Sequence, residues 1–110
     1  MSILSAPSKK LDRRILAEVE YEDRIIGYRL GQRSGLTPVT LYSFEEIIGF
    51  LSNPIPMIDF NALESWIRTI MEDNELADKI KEVSIDNASD QNKTFYIKDL
   101  MVERLRQCKR

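Results

Sequence analysis

The chain of 110 residues has no histidine and a single cysteine, Cys108. These two scarcities exclude a large part of enzyme chemistry. Zinc sites built from Cys and His cannot form within one chain. Neither a Ser-His-Asp nor a Cys-His arrangement has its base. No intramolecular disulfide can close. Carboxylate, Lys, Tyr and backbone chemistry remain. Long apolar runs are also missing, so no membrane span is expected. The opening MSILSAPSKK holds an apolar patch too short for a secretory core, and its charges follow that patch rather than precede it. Residue 2 is Ser, where myristoylation needs Gly. A cytoplasmic location is the expectation. No internal repeat or low-complexity segment is visible.

What is present suits a soluble globular protein: 43% hydrophobic and 31% charged residues. The length fits one domain with a core that needs no metal or disulfide. The expected layout is a flexible tail over 1–10 and a single α+β domain over 11–110. The net charge of −2 hides a segregation. Lys9, Lys10, Arg13 and Arg14 outweigh Asp12 at one end. Lys98, Arg104, Arg106, Lys109 and Arg110 outweigh Asp99 and Glu103 at the other. Most of the acid lies between them, over 43–90. Such ends either fold back on the acidic middle or meet partners of their own.

Alternation of apolar and acidic residues from Arg14, with Ile15, Ala17, Val19 and Tyr21 against Glu18, Glu20 and Glu22, predicts a strand over 14–21. After Asp23 the alternation resumes, with Ile26, Tyr28 and Leu30 opposite Ile25, Gly27 and Arg29, predicting a second strand over 25–31. The two form a hairpin turning near Glu22-Asp23. A helix from Leu11 through Ile15 and Val19 is the competing reading. VTLY (39–42) suits a short third strand. Ser43 and Glu46 make a capping box, and Tyr42 with Ile47 a staple, for a helix from Phe44 to about Ser52 that buries Ile47, Ile48 and Leu51. Pro54 ends it.

A longer helix begins at Asp59 or Asn61. Its stripe of Leu63, Ile67, Ile70 and Met71 is followed by another of Leu76, Ile80 and Val83, rotated by roughly 120°. One straight helix cannot bury both, so a break is expected near Asp73-Asn74. SIDNASDQNK reads as a polar loop. A last helix from near Tyr96 turns Ile97, Leu100, Met101 and Leu105 inward. The fold class is α+β: a small N-terminal antiparallel sheet of two to three strands against three or four helices.

Each candidate site has a plainer explanation. Glu18, Glu20 and Glu22 on a strand face, with Asp23 or Asp86, would gather a hard cation such as Mg²⁺ or Ca²⁺, yet no ligand spacing is recognisable and alternating acids usually form a solvated face. GQRSG (31–35) lacks the Lys-Ser/Thr ending of a phosphate loop and reads as a connection, with Arg29 and Arg33 as its only side chains for an anion or acidic partner. PIPM (54–57) is a stiff ligand for another domain or, more simply, a linker. Trp66 is a core anchor or an interface hot spot. Cys108, near a basic end that would lower its pKa, is a reactive thiol or, more simply, an incidental terminal one. Asn87-Ala-Ser89 and Asn92-Lys-Thr94 match the glycosylation pattern by chance.

No catalytic residue, cofactor or metal is expected. The favoured reading is a small non-enzymatic interaction or regulatory protein of adaptor type, its acidic middle facing a protein partner or a second copy as a homodimer. The expected contact residues are Trp66, Leu76, Ile80, Val83, Arg104, Arg106, Lys109 and Arg110, since the second stripe looks surplus to the core. The alternative is a nucleic-acid-binding regulator using the basic ends. A carboxylate enzyme with a divalent cation ranks third.

Overall fold

A computed structural model describes residues 4–31, 33, 35–53 and 56–109. It has the expected α+β class, with five α-helices among the described residues rather than three or four: α1 (Lys9–Leu16), α2 (Phe44–Leu51), α3 (Phe60–Thr69), α4 (Asn74–Ser84) and α5 (Asp90–Cys108). Strands β1 (Ile25–Gly31), β2 (Gly35–Leu41) and β3 (Pro56–Met57) form one antiparallel sheet in the order β2-β1-β3. The hairpin pairs β1 with β2, from Ile25 opposite Leu41 to Gly31 opposite Gly35. GQRSG is thus a connection between strands, and Gly35 occupies the left-handed region at φ 69° where the chain re-enters the ladder.

The strand predicted over 14–21 is not there. Ser8 caps α1 by accepting from Leu11 N, and the helix runs to Leu16 with Ile15 buried. The competing helical reading was correct for Leu11 and Ile15 but not for Val19, which lies beyond the helix. Val19 N donates to Tyr42 O at 2.7 Å, and Glu18 bridges Ser43, so the acidic alternation covers only a short extended link. Residues 4–8, assigned to a tail, are packed instead. Leu4 is buried, and Ser5 is held by the side chains of Glu75 and Arg104.

Further along, expectation and structure agree more closely. Ser43 caps α2 through Glu46 N, and Glu46 Oε1 accepts from Tyr42 N, closing a two-way cap one residue wider than a standard capping box. Asp59, not Asn61, caps α3. The break falls where the two stripes require it: α3 ends at Thr69, Glu72 takes φ 60°, and Asp73 caps α4 by accepting from Leu76 N. The last helix starts six residues earlier than expected, because Ser89 caps it through Asn92 N and its first turns are polar. Both glycosylation-like triplets therefore meet the start of α5.

The core is made where α2, α3, α4 and α5 converge. Phe44, Ile47, Leu63, Ile67, Leu76, Ala77, Ile80, Ile97 and Met101 are inaccessible to solvent. Trp66 also belongs to this core, its Nε1 donating to Asp23 O at 2.6 Å. The base of the sheet's inner face, at Ile25, Gly27 and Leu41, is buried and meets Phe50 of α2, while Arg29 and Thr37 further out on that side are exposed. A Cβ at Gly27 would lie 2.5 Å from Phe50 Cζ, so only glycine lets the central strand come down onto that ring.

Candidate functional site

In an antiparallel sheet with one covered face, the uncovered face is normally polar. Here it is not. The positions alternating with the buried Ile25 and Gly27 are Ile26, Tyr28 and Leu30, and the ladder sets Thr40, Pro38 and Leu36 directly opposite them. Met57 of β3 lies opposite Tyr28 on the other side. Ile26, Tyr28, Leu30, Leu36 and Met57 are between 39% and 53% exposed, and Pro38 and Thr40 are exposed as well. Together they make a patch on the order of 500 Å², at the upper end of what a monomer carries without a partner. Thr40 is its one polar member. Arg24, stacked 3.8 Å over the Tyr21 ring, stands before Ile26, and exposed Arg33 stands at the hairpin tip beyond Leu30.

Two concave surfaces border this face. One, of about 560 Å³, lies between the end of α2, β3 and the first turns of α5, with Met57, Phe60, Phe95 and Lys98 in its wall. The other, of about 490 Å³, runs from Arg24 and Ile26 to Trp66 and Ile70. In their walls the Ser52 and Thr94 hydroxyls donate to the carbonyls of Ile48 and Asp90, and the Thr69 hydroxyl to that of Ser65. Among the described residues no group of three His, Cys, Asp or Glu is placed to hold a metal ion.

The contact residues expected from the sequence lie elsewhere, and most are occupied. Leu76 and Ile80 are fully buried between α3 and α5, and Val83 packs at the edge of that core. The second stripe is therefore the inner face of α4, not a surplus one, because the turn at 70–73 swings it onto the same core as the first. Arg104 is buried rather than presented to a partner. Its Nε and Nη2 meet Asp73 at 2.9 and 3.3 Å, Nη2 meets Glu75 at 2.9 Å, and Nη1 meets Ser5 O at 2.7 Å and Gln107 Oε1 at 2.9 Å. All five guanidinium N–H groups have acceptors.

Lys109 pairs with Glu45 at 2.9 Å, and Arg14 with Glu72 at 2.7 Å. The basic ends thus fold back onto the acidic middle, the first of the two arrangements that the charge segregation allowed. Arg106, Lys9, Lys10 and Arg13 are exposed; Arg110 lies outside the described residues. Glu18, Glu20 and Glu22 are exposed along the link between α1 and β1, Asp86 is exposed between α4 and α5, and Asp23 spends its carbonyl on Trp66. Pro56–Met57, half of PIPM, is used within the chain as β3; residues 54 and 55 lie outside the description.

For Cys108 the lowered-pKa alternative is overturned. It is buried on the inner face of α5, and desolvation, with the Asp12 carboxylate beside it, pushes its thiol up to about 12. The basic terminus that was to lower it is turned away or paired. Glu75 moves the other way. Its partial desolvation would raise it, but hydrogen bonds from Ser5 and the Arg104 guanidinium outweigh that and hold it below the ordinary glutamate value.

The apolar sheet face was missed as a site although its alternation was visible. The signal was that the side of Ile26, Tyr28 and Leu30 is apolar throughout, while the one charge of 25–30, Arg29, falls on the side of the buried Ile25 and Gly27. In comparisons with known proteins, no family model, curated protein or solved structure matches the chain.

Proposed function

We propose that the protein is a non-enzymatic protein-interaction module of adaptor or regulatory type, and that it docks a partner on the uncovered face of its sheet. The observation that carries this reading is the apolar composition of that face at positions where a solvated sheet is polar. Domains are built as packed layers, each burying its apolar face against the next. This sheet is composed as a middle layer and has helices on one side. Of the acidic middle, first expected to face the partner, Glu45, Glu72, Asp73 and Glu75 are engaged by Lys109, Arg14 and Arg104.

The same ion pairs weigh against nucleic acid as the partner, since they occupy three of the cations that reading relied on. No helix among the described residues is long and apolar enough to cross a membrane. The reading is tested by affinity capture with three forms of the chain: wild type, Leu30→Glu, and a variant with Lys9, Lys10 and Arg13 all changed to Glu. Proteins retained by wild type are expected to be lost with Leu30→Glu and kept with the N-terminal variant. The opposite pattern overturns the reading.

A further inference from the structure

The uncovered face is uncharged across its middle and carries opposite charges at its two ends. Ile26, Tyr28, Leu30, Leu36, Pro38 and Met57 are all uncharged, and Thr40 is the one polar side chain among them. At the base, beside Ile26, Glu22 and Asp23 line the bordering concavity. Neither is in an ion pair among the described residues, and Arg24 there is turned back onto Tyr21. At the tip, beyond Leu30, stands the exposed Arg33, and residues 31–35 hold no acid. Arg29 lies on the reverse side. Toward α5, Asp90 and Lys98 offset each other.

Resting on the reading above, we infer that the occupant is a second copy of this chain. The two copies pack face to face and head to tail, about a two-fold axis that lies in the interface and crosses the strands. Such an axis lays tip over base twice, so that Arg33 of each copy meets Glu22 and Asp23 of the other. The row of Ile26 and Thr40 covers the partner's row of Leu30 and Leu36, and Tyr28 with Pro38 meets its own copy. Two sheets stacked in this way form an aligned sandwich, which gives each the second apolar layer it lacks.

The area suffices for a dimer of modest affinity. The face, on the order of 500 Å², continues past Met57 to Phe95, which is 58% exposed in the wall of the same groove and adds about 100 Å². Two copies then bury about 1,200 Å², the lower end for specific interfaces, so the dimer dissociates in the micromolar range. Other occupants fit less well. A strand added to the free edge of β2 would meet Pro38, which has no N–H to give. Single-stranded nucleic acid needs stacked rings and cations, and the face has one ring, Tyr28, and no cation among its described residues. A uniformly acidic or basic partner would find the wrong sign at one end.

The test is sedimentation equilibrium of the full chain up to about 100 µM, where a dimer of micromolar Kd is mostly assembled. Wild type is expected to dimerise. Leu30→Glu, at a position 51% exposed, is expected to stay monomeric and to keep the urea midpoint of dilute wild type. Two charge variants read the arrangement without touching the apolar face. Arg33→Glu and Glu22→Arg should each dimerise about tenfold more weakly, since the two-fold axis repeats every rim contact. An equimolar mixture of the two should recover the wild-type affinity, because each tip then meets a base of opposite sign. No weakening, or weakening without recovery on mixing, would overturn the head-to-tail packing, and so would a dimer indifferent to Leu30→Glu. A wild-type chain that stays monomeric would overturn the inference outright. If capture of other proteins then still depended on Leu30, the docking face would stand with a different protein on it; otherwise both would fall. Leu30-dependent binding of a uridine oligonucleotide would overturn both by assigning the face to another class of partner.

Discussion

Arg104 and Asp73 are 31 residues apart in sequence and meet in a two-point ion pair, with each side chain 2% exposed. The pair fastens the last helix to the turn between α3 and α4, and Asp73 caps α4 at the same time. Through Ser5 O and Glu75 it also holds the N-terminal segment down. One buried guanidinium thus joins three parts of the chain.

Breaking such a pair from one side leaves an uncompensated buried charge, which costs about 3–5 kcal/mol. Asp73→Ala should lose that much stability in urea unfolding, with a further contribution from the lost cap of about 1 kcal/mol. Arg104→Met, which removes the charge and keeps an apolar stem, should cost clearly less than Arg104→Ala. Equal losses would mean that packing of the stem contributes little there.

The Glu75 contacts give the N-terminal segment a pH dependence. The folded value lies below the unfolded one, so its contribution is complete above the ordinary glutamate value and is lost as pH falls through the depressed one. Amide exchange at Ser5, whose N–H donates to Glu75 at 3.0 Å, should therefore lose protection on acidification, and Glu75→Gln should remove that dependence.

Cys108 should be inert in the folded protein. With its thiol pushed up to about 12 by burial and by Asp12, almost no thiolate exists near neutrality. A disulfide reagent added at pH 8 should label it only as fast as the chain unfolds, and labelling should become rapid in denaturant. The same shift gives stability that is complete below the ordinary thiol value and declines as pH rises toward 12.

Gly27 is required by the approach of Phe50. Gly27→Ala should destabilise by about 1–3 kcal/mol through overpacking, and Phe50→Leu in the same chain should recover part of the loss. Glu72, by contrast, sits at φ 60° where glycine is at ease. Glu72→Gly should be neutral or stabilise by up to about 1 kcal/mol, because the ion pair with Arg14 that it gives up is half exposed.

Local signals in the sequence were legible wherever a cap, an apolar stripe and a break agreed. Ser43 with Ile47 and Leu51 defined α2, and the rotation between Leu63–Met71 and Leu76–Val83 located the turn before α4. Signals failed where two periods overlapped. Ile15, Ala17, Val19 and Tyr21 happen to alternate across a helix end and an extended link, and Ser8, the cap that would have exposed this, stood in a segment set aside as tail. The polar first turns of α5 hid its start, since nothing apolar marks a helix there before Phe95. Burial of Arg104 was not legible at all. A basic residue in the last turns of a helix is ordinarily at the surface, and only the placement of Asp73 and Glu75 on another element takes it inside. The same long-range packing decides which apolar stripe is spare: the α4 stripe is consumed by α3 and α5, and the sheet stripe is left exposed among the described residues.

That last assignment is tested most directly by urea unfolding of two variants of the full chain. In the first, Tyr28, Leu30 and Leu36 are all replaced by Glu; in the second, Leu76 is replaced by Ala. The triple variant should stay within about 1 kcal/mol of wild type, as surface substitutions do, while Leu76→Ala should lose about 2–5 kcal/mol. A triple variant that unfolds, beside a Leu76→Ala chain as stable as wild type, would mean that the sheet face is interior and the α4 stripe is the free surface.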